Sequence, residues 1–311
     1  MKRILFGVLL LIISFTVNGK STTLTFHTAT GDVFGTLLVP DTGGKFPLVV
    51  LISGSGPTDR DGNNQSMKNN SLLMLADSFQ SAGIASFRFD KRGIGESADA
   101  LKKESDLRIE DFINDVKGWI AMLSKDKRFT RIVVAGHSEG SLIGMIASQN
   151  EPVVKKFISI AGAGQPADTL LKIQLKDQPE EIKKSVYQKL DSLKQRYTLP
   201  NVPSMYYALF RPSVQGYLIS WFQYDPQIEI KKLTIPVLII QGTTDVQVSV
   251  DQADRLAAAA MKSQKLIIEN MNHVLKTCQT TDRATQIETY NNPDLPIASG
   301  LLPEIIAFIK K

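Results

Sequence analysis

The sequence predicts an α/β fold, a mostly parallel sheet of about eight strands flanked by helices, with a helical cap inserted into it. Three observations carry that expectation. Strand-like apolar runs alternate with helix-like amphipathic stretches over most of the chain, the order of a parallel sheet covered on both faces. Several runs, Phe46–Ile52 above all, are continuously apolar, as strands buried on both faces are. The alternation breaks once, from Gln165 to about Lys232, where a charged segment is followed by an aromatic-rich one.

Taken in order, Thr22–Ala29 and Val33–Val39 alternate in the manner of strands, with Gly31-Asp32 between them as a hairpin turn. Phe46–Ile52 is the third strand. Asn70–Ala82 reads as an amphipathic helix that Gly83 ends, and Ile84–Phe89 is the next strand. Over Ile109–Leu123, Phe112, Val116, Trp119, Ile120 and Leu123 recur at helical spacing and are core residues. Arg131–Ala135 is a β-branched strand, Val154–Ile160 and Ile235–Ile240 are two more, and Leu266–Glu269 begins the last. Leu301–Ile309 closes the chain as an amphipathic helix.

The break at about 165–232 falls between two central strands. An insertion there sits over the C-terminal edge of the sheet, where open α/β folds bind ligands. Its charged part, Asp177–Arg196, is helical. Its aromatics (Tyr206, Tyr207, Phe210, Tyr217, Trp221, Phe222 and Tyr224) either line an acyl pocket or pack the cap onto the core.

Residues 1–19 form a separate object. Lys2 and Arg3 precede an apolar run, Ile4–Val17, and Val17-Asn18-Gly19 offers small residues suited to cleavage before Lys20. The run is shorter than the roughly 20 residues a membrane span needs. A signal peptide at 1–19 and a catalytic domain at 20–311 are therefore expected, with export to a periplasm or the cell exterior and no stable membrane anchoring. A retained N-terminal anchor is the competing reading.

Composition excludes more than it identifies. With 22% charged and 43% hydrophobic residues, the chain is an ordinary globular protein. Its net charge of +5 is spread along the sequence, with no basic cluster interleaved with aromatics, so no nucleic-acid partner is expected. A lone cysteine, Cys278, allows neither an internal disulfide nor a cysteine-based metal site. Nothing in the sequence bears on oligomeric state.

The chemistry centres on Gly136-His137-Ser138-Glu139-Gly140. This G-x-S-x-G follows a strand and runs directly into the apolar stretch Ser141–Ala147, the context of a nucleophile elbow. The pentapeptide alone would also suit an ordinary glycine-rich turn. In the elbow reading Ser138 is the nucleophile, held in strained backbone above the sheet. The glycines are needed because a Cβ at either place would strike the crossing chain.

A serine hydroxyl needs a base, and the base needs an orienting acid. Only three histidines are present. His137 lies within the elbow and points the wrong way, and His27 lies on the N-terminal hairpin. His273, in the loop after the last strand, is the base by elimination and by position. The acid belongs between nucleophile and base in chain order. Asp245 follows the strand ending at Ile240, and so stands at the same sheet edge. Asp225 and Asp251 are the other carboxylates in range, but one falls in the cap and the other begins a helix as an N-cap. For the oxyanion, one donor is the N–H of Glu139, the residue after the nucleophile. The other is expected from the loop after the third strand, where Ser53-Gly-Ser-Gly-Pro57 stands in the place of the lipase HGGG-type motif, and aligning Ser53-Gly54 with its His-Gly makes the Ser55 N–H that donor. The Glu139 side chain is expected to point away from the chemistry.

These residues resemble the α/β-hydrolase superfamily from about Thr22 to Lys311. Two further motifs, Gly54-Ser-Gly-Pro-Thr-Asp-Arg-Asp-Gly-Asn63 and Asp90-Lys-Arg-Gly-Ile-Gly-Glu-Ser97, are similar to a bacterial serine carboxylesterase branch. The resemblance implies hydrolysis of a small-molecule carboxylic ester without cofactor or metal, with Ser138, Asp245 and His273 matching the family's triad. Short to medium acyl chains suit the short cap. An aminopeptidase or another amide or thioester hydrolase on the same fold is the alternative, and a non-catalytic binding protein is a further one. Asp59 and Asp61 invite a calcium reading, but the glycine is misplaced for an EF-hand loop. Asp59, Arg60 and Asp61 are instead expected to tie down the oxyanion loop, and Lys91–Glu96 to form a glycine turn beside the pocket.

Overall fold

The computed structural model describes residues 20–311. The leader read over residues 1–19 lies outside them. The eight strands are β1 (Lys20–Thr28), β2 (Gly31–Val39), β3 (Phe46–Ile52), β4 (Ala85–Phe89), β5 (Phe129–His137), β6 (Val154–Ile160), β7 (Val237–Gly242) and β8 (Ser263–Ile268). They form one sheet in the order β1-β2-β4-β3-β5-β6-β7-β8. The pairs β1–β2 and β2–β4 are antiparallel, and every later pair is parallel. The C-terminal ends of β3, β4, β5, β6, β7 and β8 therefore share one edge.

Side-chain alternation assigns each strand's residues to one of two cores. Leu48, Val50 and Ile52 of β3 pack on one face, together with helices α2 (Ile109–Leu123) and α3 (Glu139–Ala147). Val49 and Leu51 pack on the other, with α1 (Ser71–Ser81). Between β6 and β7 stand α4 (Ala167–Gln174), α5 (Glu180–Lys194), α6 (Tyr207–Phe210), α7 (Pro212–Trp221) and α8 (Pro226–Lys231). After β7 comes α9 (Val250–Ala259), and after β8 come α10 (Arg283–Tyr290) and α11 (Leu301–Lys310), the last closing the α1 face. No helix among the described residues is long and apolar enough to cross a membrane.

Several boundaries shift by one to three residues from the sequence expectation, and two of the shifts have an evident cause. The hairpin turns at Ala29-Thr30, while Gly31 and Asp32 already pair with Thr28 and His27. The reason is polar: Asp32 accepts from the His27 ring across the ladder at 2.7 Å, and the Thr30 hydroxyl donates to Ala100 O at 2.6 Å. β8 begins at Ser263, three residues before Leu266. It is an edge strand whose first residues are polar, Ser263 half-buried and Gln264 and Lys265 exposed, and so lack an apolar signal. At α9, Ser249 is the N-cap and Asp251 lies inside the first turn.

Trp119 anchors the α2 face. It is wholly buried, with the rings of Phe87, Phe26 and Phe89 at 4.5, 5.4 and 6.1 Å. Trp119→Ala empties the centre of that aromatic cluster. Equilibrium denaturation is expected to show a loss of about 3–5 kcal/mol, and a loss under about 1 kcal/mol would mean that the cluster collapses without cost.

Candidate active site

Ser138 occupies the turn from β5 into α3 with φ 54° and ψ −121°, a region that residues with a Cβ avoid. Its N–H donates to Ile160 O at 2.9 Å, which locks the turn to β6. The flanking glycines are steric requirements. A Cβ on Gly136 would lie 2.1 Å from Gly140 O, and one on Gly140 would lie 2.5 Å from Ile52 O. The turn can be this tight only because both are glycine.

The structure brings Ser138, His273 and Asp245 together from three strand ends. Ser138 Oγ is 3.1 Å from His273 Nε2, and His273 Nδ1 is 2.8 Å from Asp245 Oδ2. The carboxylate can only accept, so Nδ1 carries the ring proton and Nε2 is free to take the serine's. Asp245 is itself fixed by three further donors: the N–H groups of Gln247 and Val248 on Oδ1, at 2.8 and 2.9 Å, and Gln241 Nε2 on Oδ2, at 2.9 Å. All three side chains sit at the C-terminal sheet edge, where the parallel topology puts them. The other carboxylates considered from the sequence are elsewhere, Asp225 capping α8 and Asp251 in α9.

His137, set aside as a base, has a different role. Its Nε2 lies 2.7 Å from the main-chain oxygen of His273, and the two rings are 4.9 Å apart. A carbonyl accepts only, so Nε2 is the protonated nitrogen. The elbow thus holds the loop that carries His273. Burial, and then the neighbouring His273, push the His137 pKa down to about 4. His27 is on the hairpin surface, far from this chemistry in the fold.

The Glu139 side chain does not turn away as expected. It is buried in the wall of the site, where Oε2 accepts from Lys91 Nζ at 3.0 Å and Oε1 accepts from the Tyr217 hydroxyl of α7. Lys91 Nζ also donates to Gly54 O at 2.6 Å. Burial, followed by the Glu139 charge, holds the Tyr217 hydroxyl well above its ordinary pKa. The sequence reading placed Lys91 beside the pocket and Tyr217 among its possible lining residues, but missed the contacts that give Lys91, Tyr217 and His137 their roles. For Lys91 the available signal was its place two residues past the C-terminal end of the buried strand β4.

The two motif loops brace each other. Arg60 Nη2 pairs with Asp90 at 2.7 Å and with Glu96 at 2.5 Å, and the Arg60 N–H donates to Asp90 Oδ1 at 2.8 Å. Asp59 Oδ1 accepts from the N–H groups of Asp61 and Asn63, and Asp61 pairs with Arg88. These are the ties expected of Asp59, Arg60 and Asp61. No group of three or more His, Cys, Asp or Glu arranged for a metal occurs among the described residues.

Over Ser138 lies a cavity of about 470 Å³, with Ser55 and Glu139 beside the serine and Phe112, Leu142, Leu170, Leu218 and Trp221 in its walls. Of the cap aromatics, Tyr217 and Trp221 line it, whereas Phe210 and Phe222 are fully buried in the core and Tyr207 is exposed. Each charged wall residue is paired. Glu104 accepts from Arg211 and Ser213, Arg92 pairs with Asp115 at 2.5 Å, and Lys91 pairs with Glu139.

The strand order, with the tight serine turn after the central strand, defines an α/β-hydrolase. The model of the family described as "Serine aminopeptidase, S33" matches residues 67–228, and the chain belongs to that family. It is 30% identical over 250 residues to esterase EstD of Thermotoga maritima, covering 78% of this chain but only 57% of that relative's length. Among solved structures it is similar to Est1E of Butyrivibrio proteoclasticus with bound ferulic acid, at TM-score 0.62 and 16% identity, covering 92% of this chain and 96% of the other. It is also similar to the acylaminoacyl peptidase of Pyrococcus horikoshii, at TM-score 0.61 and 14% identity, covering 96% of this chain and 42% of that one.

Burial, and then the neighbouring His273, keep His137 neutral until the pH approaches about 4, so its Nε2–H tie to the main-chain oxygen of His273 is intact across the neutral range. In an NMR titration the His137 ring is expected to keep its neutral-form shifts down to about pH 5. A transition near the ordinary imidazole value of about 6.5 would contradict the role given to it.

Proposed function

We propose that this protein is a serine hydrolase that cleaves carboxylic esters of short to medium acyl chains through an acyl-enzyme, with Ser138, His273 and Asp245 as its triad. Ser138 Oγ attacks the ester carbonyl carbon as its proton passes to His273 Nε2. The carbonyl oxygen becomes an oxyanion and is received by the N–H groups of Ser55 and Glu139. His273, its imidazolium stabilised by Asp245, then protonates the departing alkoxide. Water repeats the sequence on the acyl-enzyme, releasing the acid and restoring the serine.

One observation favours esters over peptides: both carboxylates in the cavity wall, Glu139 and Glu104, are already matched by cations. An aminopeptidase needs a free carboxylate to hold the substrate's ammonium. Here Lys91 and Arg211 occupy that role, and the remaining wall is mostly aliphatic and aromatic. The cavity's size supports an acyl chain of short to medium length, within the range of small-molecule sites. The relative named an esterase supports the same reading, while the family's description keeps the peptidase in contention.

The test compares kcat/KM for p-nitrophenyl butyrate and for aminoacyl p-nitroanilides on one preparation, with Ser138→Ala beside it. The ester is expected to be turned over far faster, and Ser138→Ala to abolish that turnover without changing the melting temperature. Anilide turnover equal to or above that of the ester, lost in Ser138→Ala, would assign the site to peptides.

A further inference from the structure

Lys91 is buried to 1% exposure, and a buried ammonium is costly unless each of its donors is used. An ion pair with Glu139 does not by itself explain why a charge is kept here, since a buried pair is often no more stable than apolar residues of the same volume. The geometry offers a different reason. Besides Glu139, Lys91 Nζ contacts Gly54 O at 2.6 Å and stands 4.8 Å from the centre of the Phe112 ring.

Gly54 O and the Ser55 N–H belong to one peptide unit. That unit is planar and trans, so its C=O and N–H point in opposite directions, and fixing one aims the other. The loop needs such a constraint. Gly54 and Gly56 flank Ser55, Gly56 has φ 70°, and glycine crosses between backbone regions with little penalty. Gly54 is pressed against the elbow, where a Cβ would lie 3.2 Å from Ser138 Cβ, so a rotated peptide would turn its N–H away directly beside the serine. The other partner of Lys91 is the side chain of Glu139, whose main-chain N–H is the second proposed donor. Tyr217 then joins Glu139 to the cap helix α7.

We propose that Lys91 is a positioning residue for the oxyanion hole, its ammonium holding the Gly54–Ser55 peptide with the Ser55 N–H turned to the reacting carbonyl. The Glu139 carboxylate fixes that ammonium, and Tyr217 fixes the carboxylate from the cap. One buried chain of contacts therefore bridges both donor residues and the roof of the pocket. The inference rests on the serine-hydrolase reading above, but not on whether the substrate is an ester or an amide.

The test uses Lys91→Met, which keeps the apolar stem and removes the ammonium. Because that change strands the Glu139 charge, the double variant Lys91→Met/Glu139→Gln is made beside it. The double variant keeps the main-chain N–H at 139 and an oxygen for Tyr217, and has no buried charge left over. The wild type is first assayed on p-nitrophenyl butyrate and on the anilides, and the variants on whichever substrate it turns over. Wild-type turnover of neither would tell against the hydrolase reading itself, and the comparison would then use the second-order rate of Ser138 labelling by a fluorophosphonate, whose phosphoryl oxygen gains negative charge in the same hole as the serine displaces fluoride.

In the folded double variant KM is expected to stay within about twofold. The kcat is expected to fall at least about tenfold, toward the roughly 10²–10³-fold cost of losing an oxyanion donor outright. Affinity for a boronic-acid transition-state analogue should fall in parallel. Wild-type kcat and boronate affinity in a folded double variant would overturn the proposal, as would a raised KM with unchanged kcat, which would make Lys91 a ground-state binding residue.

Discussion

Ser138 holds backbone angles that a side-chain-bearing residue avoids, and such a conformation costs on the order of 1–3 kcal/mol that the surroundings must offset. The surroundings leave the turn no alternative. β5 is paired on both sides, by β3 and β6, and α3 begins at the next residue. The absent Cβ atoms of Gly136 and Gly140 let helix and strands approach until only a sharp turn joins them. Every other part of the site is placed relative to that turn. The loops after β3, β4, β7 and β8 emerge at the same edge because the strands are parallel, and this topology converts distant stretches of sequence into one pocket wall.

Polarity inside the pocket follows a consistent rule: a charged group is present only where a second group answers it. Asp245 takes three donors besides His273. Glu139 takes Lys91 and Tyr217, and Glu104 takes Arg211 and Ser213. What is left facing the cavity is largely apolar, and a water-poor space strengthens the few dipoles aimed into it. The donors proposed for the oxyanion are main-chain N–H groups, which carry no net charge to desolvate. Their aim is then a question of loop geometry, and the loop is glycine-rich.

Much of this was legible in the sequence because it is local. A strand, a G-x-S-x-G and a helix are contiguous, so the elbow could be read from Arg131 to Ala147. His273 and Asp245 could be read because chain order and the scarcity of histidine leave few choices, and the structure brings both to Ser138. What could not be read depends on pairs far apart in the chain. Lys91 meets Glu139 across 48 residues and Tyr217 meets it across 78, and neither residue type announces such a partner. Glu139 is expected from the sequence to turn its side chain away while its N–H donates, and the two partners that hold it in the wall are both remote in the chain. His137 looked idle for a similar reason, since its partner is a main-chain oxygen 136 residues later. The edge strand β8 was shortened in the sequence reading because solvent-facing strands carry half the apolar signal.

As the proposed nucleophile, Ser138 carries the acyl group during turnover. The most direct measurement is an acid quench of the wild-type protein during steady-state hydrolysis of p-nitrophenyl butyrate, followed by digestion and mass mapping of the butyryl group. The expected result is a butyryl adduct on Ser138 that disappears as substrate is exhausted. Turnover with the adduct on another residue, or a first-product burst with no butyryl group on Ser138, would place the nucleophile elsewhere.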